Sequence, residues 1–382
     1  MYTICDQVSP TIKYSHYLKI PFTFFVFSHN RKSHPSMSVT NETVIAGGFK
    51  VTKHGLRENG EGLFAAKYSP DGKFLAATLG SGALRVFRGD DSCALLQKSK
   101  LGQGFDDVPS TCVRFRPECE FSEENMYELI TCSTAGGLFG FNIDNTEQTE
   151  DIFLDRTWKA PEEHNETNCA DFTPDGLRIA TVGSDRSVRI YDPNTRKLLD
   201  TLSKGRDENG HTRPAHTNRI FCAKFANPTT LITGGWENPV QIWDLRTGKS
   251  ERQLGGPNVS GDTIDLLPGG QQIIVGSARP ERQIQVFDFL SCREVVEDSE
   301  RLSKPLDRSP VSCVRYSKEA GAVWCATTKP DQIMCIDFSS GSLKGKVDAP
   351  SLVFNMDVHP TNKNRCVAVG MKELMWTLET SV

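Results

Sequence analysis

The sequence has no long apolar run. Its most apolar stretch, residues 18–27, is broken by Lys19 and Pro21. Nothing approaches the roughly 20 apolar residues that a membrane helix needs. No small-residue cleavage pattern follows that stretch, so a secretory leader is not expected. An excess of basic charge is also missing: 44 Lys and Arg against 48 Asp and Glu leave a net charge of −4. That balance argues against a nucleic-acid binder driven by phosphate contacts. The 12 cysteines are only about 3% of the chain, far too sparse for a disulfide scaffold. No two of them form a C-x-x-C pair, so the usual zinc-ligand spacing is absent. Most sit inside apolar runs, as buried thiols in a reducing compartment would. The phosphate-loop pattern G-x-x-x-x-G-K-[S/T] is absent, since the nearest stretch, residues 341–347, has the wrong spacing and ends in Val347. Neither H-E-x-x-H nor G-x-S-x-G occurs. No catalytic residue, metal ligand or cofactor site is therefore nominated. The N-x-S/T matches at Asn41, Asn165 and Asn258 read as chance in a chain with no export signal.

What is present is a repeat. Residues 170–192 read ADFTPDGLRIATVGSDRSVRIYD, and residues 223–244 read AKFANPTTLITGGWENPVQIWD. Each is three short β-rich runs separated by turn residues. The pattern recurs seven times, with anchors at Phe87, Phe141, Tyr191, Trp243, Phe287, Ile336 and Trp376. These anchors lie 40 to 54 residues apart. A four-stranded propeller blade takes roughly 40–45 residues, so several loops carry insertions.

Over about residues 41–382 the chain resembles the WD-repeat β-propellers. The resemblance implies an all-β fold, a single seven-bladed β-propeller of four-stranded blades. Only three strands remain after the last connector, over 352–358, 365–370 and 373–378. The run 43–51 has strand character and is expected to supply the missing fourth strand of the last blade, closing the ring. Residues 1–40 do not fit the ring and are expected to form a poorly ordered extension. Met37 lies just before the closing strand, and the ordered protein is expected to begin near it.

The resemblance also assigns roles. In such blades a His, a Ser or Thr, an acidic residue and a Trp form a hydrogen-bonded chain. Blade three offers His164, Thr181, Asp185 and Tyr191, and blade four offers His216, Thr233, Glu237 and Trp243. Their spacing suits a scaffold role, not acid–base catalysis. Partners are expected at the face around the channel mouth. The position four residues before the aromatic or aliphatic end of each first strand points there: Phe64, Thr111, Asn168, Phe221, Asp262, Ser312 and Phe354. So does the residue before the turn carboxylate: Ser184, Trp236 and, by a looser match, Gly80, Thr134 and Pro280. Trp236 is the sharpest signal, because a small or polar residue would serve that turn. With Phe221 nearby and Arg219 at the edge, it has the composition of an interface hot spot.

The expected function is a non-catalytic scaffold or adaptor that binds proteins or peptides within a multiprotein complex. No cofactor, nucleic acid, membrane or small-molecule substrate is expected. The expected location is intracellular and cytoplasmic, with cytoskeletal and nuclear placements open. One alternative is a structural component of a cytoskeletal, centriolar or ciliary assembly. Another is a substrate receptor of a cullin–RING ubiquitin ligase, because Trp243-Asp244-Leu245-Arg246 resembles the W-D-x-R box of such receptors.

Overall fold

The computed structural model describes residues 40–380, apart from 57–60, 103–106, 146–151 and 208. The expected N-terminal extension therefore lies outside the described residues. The described part is a ring of seven sheets, antiparallel but for blade four, where Lys204–Arg206 adds a parallel bridge to the outer strand Lys249–Leu254 and, with Thr212–Pro214, makes six strands. The innermost strands are Leu63–Tyr68, Ser110–Phe115, Thr167–Phe172, Ile220–Asn227, Ile264–Leu266, Val311–Ser317 and Val353–Val358. Each lies against the next, and the last lies against the first, so the ring is closed. All seven anchor residues fall in the third strands of their blades. The seven-bladed propeller expected from the sequence is the observed fold.

Burial explains why alternating polarity is so weak in this sequence. The second strands Phe74–Leu79, Ala322–Thr327 and Arg365–Gly370 are buried at every residue. Neighbouring blades cover both of their faces, so they read as continuous apolar runs. The outer strand Lys197–Leu202 is exposed at all but its last residue. The Ser69-Pro-Asp-Gly turn depends on its glycine. Gly72 has φ +78°, and a Cβ there would lie 2.5 Å from the His359 ring of blade seven.

Closure differs from the expectation in one respect. The run 43–51 is not one strand but parts of two. Phe49–Gly55 pairs with Met375–Thr380 and completes blade seven, while Thr40–Ala46 folds back as a fifth strand. The turn between them is Gly47-Gly48, with φ +57° and +85°. Two consecutive left-handed residues make the favoured two-residue hairpin turn, and two glycines adopt it without steric cost. Phe49 is fully buried and stacks on Trp324 of blade six at 5.3 Å.

Blade five departs from four strands. Its sheet is Ile264–Leu266, Gln272–Gly276 and Ile284–Asp288. The helix Val296–Ser303 takes the outer position. Its Ser299 and Ser303 hydroxyls accept from the Val286 and Ile284 amides, each at 3.0 Å. Four residues of helix rise about 6 Å and two of strand about 6.6 Å, so the serines match the spacing of the open edge. That edge is therefore satisfied without another strand. No helix among the described residues is long and apolar enough to cross a membrane.

Phe49→Ala should cost about 3–5 kcal/mol, the usual price of a large aromatic truncation in a core. Deleting residues 41–52 should abolish the cooperative transition altogether. Urea melts of both variants check this, and an unchanged midpoint after the deletion would refute closure by this hairpin.

Candidate functional site

The mouth residues share a local cause. In six blades the first strand slips register by one residue: between Leu63 and Ala65, Ser110 and Cys112, Thr167 and Cys169, Ile220 and Cys222, Val311 and Cys313, and Val353 and Asn355. The skipped residues are Phe64, Thr111, Asn168, Phe221, Ser312 and Phe354. A bulge frees one residue from the ladder and re-aims its side chain. Four of these side chains link successive blades. Thr111 Oγ1 donates to the Thr167 carbonyl at 2.6 Å, and Asn168 Nδ2 to the Ile220 carbonyl at 2.8 Å. Phe64 stacks on Phe354 with ring centroids 4.9 Å apart.

Blade four brings Trp236, Phe221 and Arg219 together. Trp236 is 36% exposed, and its ring lies 5.0 Å from that of the buried Phe221. The Arg219 guanidinium sits 5.4 Å from the Trp236 ring centroid and pairs with Glu166 at 3.0 Å.

Asp262 does not join this surface. Its carboxylate points into the channel and accepts from Arg114 Nη2 at 2.7 Å, Asn355 Nδ2 at 3.0 Å and Arg315 Nη2. Burial alone would raise its pKa. The two guanidiniums overcome this and hold it well below the usual carboxylate range. Blade five has no bulge at this point, because its first strand begins only at Ile264. Counting back from the strand end therefore does not give a mouth residue here.

Beneath the mouth lies a layer that sequence reasoning missed. The residue preceding the last strand position counted above is charged in all seven blades: Lys67, Arg114, Asp171, Lys224, Asp265, Arg315 and Asp357. Lys67 meets Asp357 at 2.5 Å, Lys224 meets Asp265 at 3.4 Å, and Arg114 Nε lies 3.7 Å from Asp171. Each aspartate also accepts the backbone amide of the following blade. Asp171 takes Phe225 at 2.8 Å, while Asp265 takes Tyr316 and Asp357 takes Tyr68, both at 2.9 Å. The available signal was a single charge at a fixed offset inside seven otherwise uncharged strands.

The polar chain of blade four is complete. Trp243 Nε1 donates to Thr233 Oγ1 at 2.7 Å, Thr233 meets His216 Nε2 at 2.7 Å, and His216 Nδ1 meets Glu237 Oε1 at 2.5 Å. Burial of Glu237 opposes ionisation, but the hydrogen bonds from His216 and Thr217 hold its pKa below the usual value.

Blade three uses a different acceptor from the one expected. His164 is exposed, with φ +60°, and Asp185 pairs with Arg189 instead. Glu162, 3% exposed, takes the central place. Its carboxylate accepts from Thr181 at 2.5 Å, Tyr191 at 2.8 Å, Thr167 at 2.9 Å and Asn165 at 2.6 Å. The reason is donor bookkeeping. Tyr191 and Thr181 both donate here, and a carboxylate can receive both where one imidazole nitrogen cannot.

Seven sheets in a closed ring, with bulge residues at the mouth and a polar chain tying turns to strands, define a propeller of the repeat type. A family model described as "WD domain, G-beta repeat" matches residues 156–192, which contain the Glu162 chain. The chain is 28% identical over 78 residues to the ribosome biogenesis protein WDR12 homolog of Drosophila yakuba, covering 19% of each chain. It is 25% identical over 138 residues to the guanine nucleotide-binding protein G(I)/G(S)/G(T) subunit beta-1 of Homarus americanus, covering 36% of each. It is 30% identical over 128 residues to the WD repeat-containing protein WDS homolog of Arabidopsis thaliana, covering 32% of this chain and 23% of that one. The matched regions thus span between about a fifth and a third of these relatives. The chain belongs to the WD-repeat β-propellers.

His164→Ala should leave stability within about 0.5 kcal/mol, whereas Glu162→Ala should cost about 2–4 kcal/mol by stranding four donors. Paired denaturation curves check this, and equal losses would refute the reassignment. Asp262→Asn should cost about 3–5 kcal/mol, because Arg114 and Arg315 lose their shared countercharge. Its folded pKa is depressed, so the native contribution is complete above the unfolded value near ~3.9 and fades as pH falls below it. The variant should therefore lose less stability than wild type on acidification through that range. Parallel urea titrations at descending pH read the difference.

Proposed function

We propose that this chain is a non-catalytic interaction scaffold that holds a protein partner at the channel mouth, through a patch centred on Trp236. The observation that carries this is Trp236 itself: a large aromatic, 36% exposed, with a cation over its ring. Phe221 and Arg219 complete the patch, while Phe64, Asn168 and Phe354 extend it around the mouth. WD-repeat relatives fit such a role. One is named for ribosome biogenesis and another as a subunit of a guanine nucleotide-binding protein. These names support a place in a multiprotein assembly. An intracellular setting is supported by the 11 free cysteines among the described residues, most of them buried.

A second reading, substrate receptor of a ubiquitin ligase, is favoured by one observation. Arg246 is exposed in the turn at the far end of the strand Val240–Asp244 from Trp236, held there by Asp244 at 2.7 Å. Co-purification of a ligase adaptor that disappears on Arg246→Ala would support this reading.

Trp236→Ala should weaken partner binding by at least about 2 kcal/mol, roughly 30-fold, with little change in melting. Proximity labelling with both forms identifies the partner, and titration measures the loss. A large fall in melting temperature with binding intact would sink the proposal.

A further inference from the structure

The aromatic residues of the mouth form two pairs at opposite poles. Phe221 and Trp236 belong to blade four. Phe64 and Phe354 join blades one and seven. Blade four is three blades from blade one and three from blade seven, so the seam between one and seven faces it across the channel. Met371, 39% exposed, borders the second pole. The Cβ-facing side of Gly62 approaches both the Met371 backbone and the Phe354 ring at 3.7 Å. Between the poles the bulge residues are polar: Thr111 and Asn168 on one flank, Ser312 on the other.

The space below is closed. Asp262 of blade five bonds to Arg114 of blade two, Arg315 of blade six and Asn355 of blade seven. One carboxylate reaching three other blades fills the channel at that level. A ligand must therefore lie across the opening and not thread through it. Two charges nearby are already paired. Arg219 is matched by Glu166, and Asp262 by two arginines. The mouth is apolar at two ends and polar at the waist, and its Arg219 and Asp262 carry their own countercharges.

We propose, building on the mouth reading above, that the mouth takes an extended, uncharged segment of a partner protein. One apolar side chain of the segment seats at the Phe221–Trp236 pair and a second at the Phe64–Phe354 pair. Its backbone amides cross the polar waist. Asn168 uses its Nδ2 on the Ile220 carbonyl, which leaves its side-chain carbonyl to accept from such an amide. Arg219 and Asp262 are already paired, so a charge on the segment beside either of them would be buried without a countercharge.

The test is selection of a random peptide library displayed on phage against the full chain, followed by titration of a labelled synthetic peptide from the enriched set. Enriched peptides should share two apolar residues at one constant separation and require no charged residue. Trp236→Ala and Met371→Glu should each weaken binding by at least about ten-fold. Met371 is a rim residue, so Met371→Glu tests the second pole without emptying the core, and melting curves confirm that both variants fold. Replacing one peptide anchor by Ala should make one variant silent and leave the other costly. Affinity should hold between about 0.05 and 0.5 M salt. Single-anchor peptides sensitive only to Trp236→Ala would overturn the two-pole proposal and leave the mouth reading intact. Peptides indifferent to both variants would overturn the mouth reading as well. A required charge, steep salt dependence or failure to enrich any peptide would overturn the uncharged segment.

Discussion

The structure depends on one layer of charge. Each innermost strand places a single Lys, Arg or Asp at the same level: Lys67, Arg114, Asp171, Lys224, Asp265, Arg315 and Asp357. Signs alternate from blade two to blade seven and again across the closing seam, where Asp357 meets Lys67. A ring of seven cannot alternate all the way round. The mismatch falls between Lys67 and Arg114, and Asp262 supplies the eighth charge that balances the layer through Arg114 and Arg315. Buried ion pairs are weak sources of net stability but costly to break singly. What they add here is register. Each aspartate of blades three, five and seven also holds a backbone amide of the next blade, so a blade shifted along its neighbour would lose two partners at once.

The mouth follows from that layer. Once the charged residues fix the height of each first strand, the bulge three residues earlier delivers one side chain per bulged blade to the opening. Six blades do this, and blade five, whose first strand is too short for a bulge, contributes Asp262 downward instead. The identity of each bulge residue is free to vary because no ladder constrains it. Phe64, Phe221 and Phe354 are aromatic while Thr111, Asn168 and Ser312 are polar. That is where a shared scaffold acquires an individual surface.

Much of this was legible in sequence, and the failures have physical reasons. The repeat, the seven anchors and the closure by a segment near the N-terminus are visible because turn residues and apolar runs recur. Gly47-Gly48 reads as strand interior by its neighbours, although two consecutive glycines between apolar β-rich runs are a hairpin signal. Family order points to His164, whereas donor counting favours Glu162 once position 191 holds Tyr and not Trp. The serines of Val296–Ser303 gave no warning, since a helix that mimics an edge strand shows only in the match of two spacings. Counting along a strand brings Asp262 to the mouth only where the strand extends that far, and in blade five it begins at Ile264.

The polar chain and the exposed tryptophan of blade four are one device. Glu237 follows Trp236 directly in the turn. Its carboxylate is held by His216 and, at 2.5 Å, by the Thr217 amide. On the other side Asn238 accepts the Gly256 amide at 2.6 Å. The backbone on which Trp236 stands is thus fastened to the connectors at both ends of the blade. Arg219 and Phe221 confine the ring itself. A side chain already held in place loses little rotamer freedom when a partner covers it, so more of its contact area appears as affinity. Blade three carries a small residue, Ser184, at the equivalent point, and that hydroxyl is occupied by the Glu166 amide at 2.8 Å. Both blades have a well-bonded turn, but only blade four places an exposed aromatic side chain on it.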